Sequence, residues 1–95
     1  MSEPIRIFIV EDERRIARFL QIELEHEGFS TEIEEDGARA FERLMQESYD
    51  LILLDVMLPG MDGITICKRV REVSDVPIIM LTAKDEIEDK VSGLD

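Results

Sequence analysis

Apolar residues in this chain fall into four short runs, and a longer segment with helix-like spacing follows each run. The runs lie near residues 5–10, 29–33, 51–54 and 76–81. Short apolar runs are typical of buried strands, whereas apolar residues that recur every three or four positions are typical of amphipathic helices. This alternation predicts a parallel β-sheet covered by helices.

Four helices are predicted from the spacing of apolar residues and from the residues that start or end helices. Gly28 is a good C-terminal cap for the first helix, and Asp36 is a plausible N-cap for the second. The predicted helices span about 13–27, 37–47 and 63–73, with a fourth from about 85. Each helix is expected to bury three apolar residues on its inner face. These are Ile16, Leu20 and Leu24 for the first helix, Ala40, Phe41 and Leu44 for the second, Ile66, Cys67 and Val70 for the third, and Ile87, Val91 and Leu94 for the fourth.

The four predicted strands differ in their polarity, and this difference orders them in the sheet. Residues 29–34 alternate apolar with polar side chains, as an edge strand with one wet face does. The runs 5–10 and 51–54 are nearly continuous and are expected to be central, and 76–81 has the same character. A central strand needs a further neighbour, so the chain is expected to lack at least one strand and a helix beyond it.

Composition limits the class of protein. The 95 residues, 44% hydrophobic and 36% charged, fit one small domain that spans residues 1–95. The sequence has neither a signal core nor an apolar stretch of about 18 residues, so a cytoplasmic location without a membrane partner is expected. A single cysteine and a single histidine exclude a disulfide or a Cys/His zinc site within one chain.

The formal net charge of −12 argues against direct nucleic-acid binding by this segment, because phosphate backbones require a basic surface. A divalent cation or a basic protein surface is a better match. Some of the acidic residues are interpreted as solvated surface charge, namely Glu23, Glu25, Glu27 and Glu32.

Other polar residues, three of them acidic, stand where predicted strands end. Glu11 and Asp12 follow the first run, Asp55 follows the third, and Thr82 follows the fourth. Parallel strands bring these residues to the same carboxyl edge of the sheet, where open α/β folds bind ligands. Neighbouring carboxylates repel one another, and oxygen ligands suit Mg²⁺. The pattern therefore predicts a magnesium site.

Asp55 has further chemistry available beside a metal ion, because carboxylates can attack phosphorus and form acyl phosphates. The Thr82 hydroxyl and the backbone amide of Ala83 could donate hydrogen bonds to phosphoryl oxygens. Simpler interpretations stay open, since Asp55 alone could cap a turn and Thr82 could cap the fourth helix.

Three segments resemble the receiver domain of bacterial two-component response regulators: Phe8–Glu13, Leu53–Gly63 and Pro77–Ala83. The resemblance covers the whole chain in order and spacing. It implies a flavodoxin-like, doubly wound parallel sheet of βα repeats, with the fifth strand and last helix missing here. The form of the acidic motif and of the Leu-Pro-Gly-Met-Asp-Gly loop is most similar to the subfamily with winged-helix DNA-binding output domains, which control transcription.

The resemblance also implies roles for individual residues. Asp55 would accept a phosphoryl group from a phosphohistidine on a sensor histidine kinase, and Thr82 would be the switch hydroxyl, beside the amide of Ala83. Asp12, Asp55 and the backbone carbonyl of Met57 would bind Mg²⁺, with Glu11 acting through water. Such a domain is a phosphorylation switch in its parent protein, and its only reactions are its own phosphorylation and dephosphorylation.

One departure from the family pattern affects the expected activity. Receivers of this kind place a lysine followed by proline after a fifth strand, and an aromatic switch residue within it; none of Pro4, Pro59 and Pro77 follows a lysine. The fragment is therefore expected to bind Mg²⁺ better than it carries phosphate. It is also expected to form homo-oligomers or exchange segments through strand 76–81 or the fourth helix.

Two other classes of function compete with this interpretation. A phosphatase of the haloacid dehalogenase type needs a second Asp two positions after the nucleophile, but Met57 stands there. An acidic interaction or structural module without phosphotransfer remains the alternative.

Overall fold

The computed structural model describes residues 3–81, which form a parallel sheet with helices on both faces. The sheet order is β2-β1-β3-β4, and each neighbouring pair runs parallel. The elements are β1 Arg6–Val10, α1 Arg14–His26, β2 Ser30–Glu34, α2 Gly37–Gln46, β3 Leu51–Asp55, α3 Gly63–Arg71 and β4 Ile78–Leu81. The predicted flavodoxin-like α/β class with four strands is confirmed.

The position of three strands follows the predicted polarity. β1 and β3 are buried along almost their whole length and lie in the centre of the sheet, whereas β2 lies at one edge. Within residues 3–81, β4 pairs on one side only, with β3, and its Ile79 side chain is 52% exposed. β4 was predicted to be a central strand, but the described segment contains no second strand beside it.

Alternate strand residues face two separate cores because successive side chains point to opposite sides of a sheet. On one side, β1 and β3 pack against α2 and α3. On the other side, the same strands pack against Ala17 of α1, joined by Leu20 and Leu24 as predicted. Ala17, not Ile16, is the most deeply placed residue of this helix. Apolar side chains therefore cover both sides of the central strands, and polar groups are confined to the strand ends.

Helix ends follow local rules that were partly visible in the sequence. Gly28 adopts a φ of +97° just beyond α1, and the Asp36 carboxylate accepts a hydrogen bond from the Arg39 amide at the start of α2. Both caps were predicted. Asp62 caps α3 in the same manner by accepting from the Thr65 amide, a cap that was not predicted.

Glu32 is not the solvated surface charge that was expected. It lies on β2, and its carboxylate accepts hydrogen bonds from Arg6 at 2.6 Å, from the Tyr49 hydroxyl at 3.0 Å and from Arg43. The Tyr49 ring stacks on Phe8 with a centroid separation of 4.6 Å. The interpretation was wrong because the partners of Glu32 come from distant segments, which cover its side chain to 30% exposure.

This network makes stability depend on the ionisation of Glu32. The hydrogen bond from Arg6 is the main cause that holds the pKa of Glu32 below its usual 4.5. A group with a lowered folded-state pKa stabilises the fold above its unfolded-state pKa, and that contribution disappears as pH falls through the folded-state value. We expect Glu32→Gln to lower the free energy of unfolding by about 1–2 kcal/mol at neutral pH.

The loss should shrink as pH falls below about 4.5, as measured by urea denaturation. Glu42→Gln removes the same charge from an exposed position on α2 and is the matched control. The role of ionised Glu32 would be contradicted if Glu32→Gln lowered the free energy of unfolding equally at neutral and acidic pH, or by the same amount as the control.

Candidate functional site

The turn after β1 buries one carboxyl group and exposes the next. The Glu11 amide donates to the Glu34 carbonyl at 3.1 Å, which extends the pairing with β2 by one residue. The Glu11 carboxylate accepts from the Glu13 amide at 2.9 Å, at the entry to α1. Glu11 is only 4% exposed, whereas Asp12 is open to solvent.

Asp55 is the last residue of β3 and lies in register with Leu81 of β4. It is 6% exposed. β1 pairs with β2 on one side and with β3 on the other, so the chain reverses its direction of progress across the sheet between β1 and β3. The carboxyl ends of strands at such a reversal form the usual ligand-binding crevice of open α/β sheets.

The expected convergence of the three acids is observed. Glu11, Asp12 and Asp55 each offer one carboxylate oxygen, and these three atoms lie within 4.8 Å of one another. Thr82 and Ala83, which were predicted to join them, lie outside the described residues. Met57 stands two positions after Asp55 in the loop 56–62, with its side chain largely exposed.

Burial and mutual repulsion make Glu11 and Asp55 weaker acids than usual. Burial raises the pKa of Glu11 to about 7, and the negative charges of Asp55 and Asp12 add to that effect. The pKa of Asp55 is raised as well, mainly by burial, although the Glu11 side chain and the amides of Met57 and Val56 act in the opposite direction. Negative charge is therefore costly at this edge of the sheet.

One oxygen of this cluster lacks a hydrogen-bond partner. Asp55 Oδ1 is buried, and nothing in the described part of the chain donates a hydrogen bond to it. An unpartnered buried carboxylate oxygen is unfavourable, and a bound cation would remove that cost. Oxygen-only donors beside an exposed Asp12 leave space for water, which suits Mg²⁺. The residues present therefore fit a hard divalent cation.

Two glycines hold the loop 56–62 in place, a role that was not predicted from the sequence. The Gly63 amide donates to the Val56 carbonyl at 2.9 Å, and the Gly37 amide donates to the Pro59 carbonyl at 2.8 Å. Each of these glycines directly follows an aspartate and is the first residue of a helix. The repeated Asp-Gly pair was a visible signal, but the sequence does not show that both pairs meet the same loop.

Comparisons with known proteins agree with this geometry. Residues 7–95 match the family model described as the response regulator receiver domain. The chain is 50% identical over 90 residues to "Response regulator ArlR" of Staphylococcus saprophyticus and 47% identical over 90 residues to that of Staphylococcus aureus. Each match covers 95% of this chain and 41% of the relative, so the chain spans about two-fifths of their length.

Solved structures give the same result. A Francisella response regulator 1452 receiver domain superposes with a TM-score of 0.80 at 33% identity, covering 97% of this chain and 76% of that one. The BeF3-activated N-terminal receiver domain of Klebsiella pneumoniae RstA gives a TM-score of 0.79 at 35% identity, covering 94% of this chain and 76% of that one. Among the described residues, none of the helices has the length and apolar character needed to cross a membrane.

The repulsion within the acidic cluster predicts that neutralising one member stabilises the metal-free protein. We expect Asp55→Asn to raise the free energy of unfolding by about 1–3 kcal/mol in urea denaturation with EDTA present. The gain should grow as pH rises through about 7, because Glu11 then becomes ionised. Glu42→Gln, which removes one charge from an exposed position, should show neither effect; a destabilised Asp55→Asn would contradict the prediction.

Proposed function

This chain belongs to the response regulator receiver domain family, and on that premise we propose that Asp55 accepts a phosphoryl group from a phosphohistidine of a sensor histidine kinase. Receiver domains are generally regulatory phosphoacceptors that work with such a kinase, rather than catalytic enzymes. The observation that carries the proposal is the buried Asp55, which has an unpartnered oxygen inside an acidic cluster at the ligand-binding edge of the sheet.

Receiver domains generally bind Mg²⁺ through acidic residues, and this chain has the acids to do so. Asp12, Asp55 and the backbone carbonyl of Met57 would hold the ion, and Glu11 would act through water. Bound Mg²⁺ neutralises carboxylate charge and the charge on the transferring phosphoryl group. The buried pair Glu11 and Asp55 explains why a dication would be favoured over a monovalent ion, since two negative charges lie in one poorly hydrated corner.

The transfer itself requires little from the protein beyond position and charge. A carboxylate oxygen of Asp55 attacks phosphorus, the phosphorus–nitrogen bond of phosphohistidine breaks, and the bonding electrons return to the imidazole ring. The product is an acyl phosphate on Asp55, and attack by water on phosphorus returns free phosphate and the carboxylate. Thr82 and Ala83, which lie outside the described residues, are assigned by the family resemblance to the phosphoryl oxygens.

Signal output belongs to the whole protein, of which this chain is the receiver portion. Because the curated relatives are response regulators more than twice as long as this segment, we assign an output domain to the parent protein and transcription control to its action. The receiver itself does not contact nucleic acid, since its formal net charge is −12.

Phosphorylation of Asp55 can be tested with acetyl phosphate and Mg²⁺, followed by intact-mass measurement. We expect the mass of one phosphoryl group to be added to the wild-type chain and to Glu42→Gln, in low yield because the Lys-Pro pair of the family is absent from these 95 residues, and none to Asp55→Asn. Replacing Mg²⁺ with EDTA should abolish the addition, because the cluster then keeps its uncompensated charge.

A companion protein strengthens this test: the same chain continued with the residues that follow the aligned region in the Staphylococcus saprophyticus relative. Phosphorylation confined to the longer protein would still support Asp55 as the acceptor. No Asp55-dependent phosphorylation in either version would overturn the proposal and favour an acidic interaction module.

We also propose that copies of this chain associate through β4. This strand pairs on one side only within residues 3–81, and Ile79 is an exposed apolar residue on it. Open strand edges with apolar side chains favour pairing with a second chain. Exchange of segments that include the predicted fourth helix would use the same surface.

Sedimentation equilibrium tests this association. The wild-type chain should form dimers, and Ile79→Lys should shift it to monomers because a charged side chain on an edge strand opposes pairing. Ile22→Lys on α1 is the matched control, since Ile22 is 54% exposed and lies beside Ile33 of β2 at the opposite edge. A wild-type monomer at high concentration would contradict the proposal.

A further inference from the structure

The start of α2 is in backbone contact with the loop that follows Asp55. Gly37, the first residue of α2, is buried and donates its amide to the Pro59 carbonyl at 2.8 Å. A Cβ atom at Gly37 would lie 1.8 Å from the carbonyl oxygen of Met61 and 2.7 Å from its carbonyl carbon. Backbone atoms cannot swing aside as a side chain can, so no residue but glycine permits this approach.

The contact is close on the loop side as well. Gly60 adopts a φ of +84°, a conformation that favours glycine. A Cβ atom there would lie 3.0 Å from Asp36 Oδ1 and 3.1 Å from the Ala38 amide nitrogen. Two glycines, one on each side, therefore allow α2 and the loop to meet without side chains between them.

The other end of the loop is fixed to Asp55 itself. The Gly63 amide donates to the Val56 carbonyl at 2.9 Å, and a Cβ atom at Gly63 would lie 2.0 Å from the backbone oxygen of Asp55. The loop 56–62 is thus closed at its two ends by the Gly63 contact and held between them by the Gly37 contact with Pro59 and Met61. Met57 lies in this stretch, two positions from the buried carboxylate of Asp55.

We propose that Gly37 is a positioning residue for the cation site and acts through Pro59 and Met61 on the loop that carries Met57. This inference rests on the proposed function, in which Asp55 and the Met57 carbonyl bind Mg²⁺. Gly37 touches neither the ion nor the phosphoryl group; it sets where the loop lies relative to the carboxylates. Outer contacts of this kind orient metal ligands, and their loss typically weakens metal binding by about 10- to 100-fold.

The test compares Mg²⁺ affinities by isothermal titration calorimetry. We expect Gly37→Ala to bind Mg²⁺ roughly 10-fold more weakly than the wild type. The matched control is Gly28→Ala, which puts a methyl group on a glycine with a φ of +97° where nothing lies within 4 Å. This substitution strains the backbone at a site far from the loop, so the control should bind Mg²⁺ with wild-type affinity.

A milder variant keeps the inference testable if Gly37→Ala does not fold. Gly60→Ala and Gly28→Ala share a positive φ, but only Gly60→Ala brings its methyl group against Asp36 and the Ala38 amide. We therefore expect Gly60→Ala to weaken Mg²⁺ binding several-fold relative to Gly28→Ala, by displacing the loop.

Amide hydrogen exchange supplies a readout that does not depend on phosphorylation. Coupling between two contacts is reciprocal, so Mg²⁺ binding should slow exchange of the Gly37 amide, which donates to Pro59. The Gly28 amide, which donates to the Glu25 carbonyl at 3.0 Å, should be unaffected.

If the wild type binds Mg²⁺ but all three variants match its Mg²⁺ affinity and exchange of the Gly37 amide is unchanged, this inference alone is overturned. A wild-type chain without Mg²⁺ affinity would overturn the proposed function and, with it, the role of Gly37.

Discussion

Glu11 and Asp55 bring two carboxyl groups into one buried corner of the sheet, with 4% and 6% of their surface exposed. Their nearest ligand oxygens lie within 4.8 Å, at which two full charges repel by about 3 kcal/mol if the effective dielectric constant is about 20. The parallel pairing of β1 with β3 makes this approach unavoidable, because the two strands end side by side. The acid cluster is therefore a cost of this topology that a cation would offset.

The basic residues of the described structure do not neutralise the negative charge of the acid cluster. Ion pairs among residues 3–81 join Arg6, Arg14, Arg39 and Arg43 to glutamates on β2 and in the turns that follow β2 and α2, and none includes a member of the acid cluster. The network around Glu32 lies toward the opposite end of the sheet, where it covers an edge strand. Basic side chains stabilise the scaffold, while the ligand-binding edge keeps its negative charge for an external cation.

Those features that depend on local pattern were predictable from the sequence. Strand polarity placed β2 at the edge, and the positions of Asp12 and Asp55 after apolar runs placed both acids at one edge of the sheet. Features that join distant segments were missed: the partners of Glu32 lie between 11 and 26 residues away, and Gly37 meets a loop more than twenty positions later. Periodicity reports which face a residue occupies, but it does not identify the residue across from it.

The most direct test of the central claim is to locate the cation by nuclear magnetic resonance, with paramagnetic Mn²⁺ in place of Mg²⁺. Asp55 ends β3, whose five residues span about 16 Å, and Tyr49 lies two positions before that strand begins. The account predicts that the amide signals of Asp12, Asp55 and Met57 broaden at the lowest Mn²⁺ concentrations, while those of Arg6 and Tyr49 stay sharp. Broadening that is uniform, or that centres on other acidic residues such as Glu23 and Glu27, would contradict it.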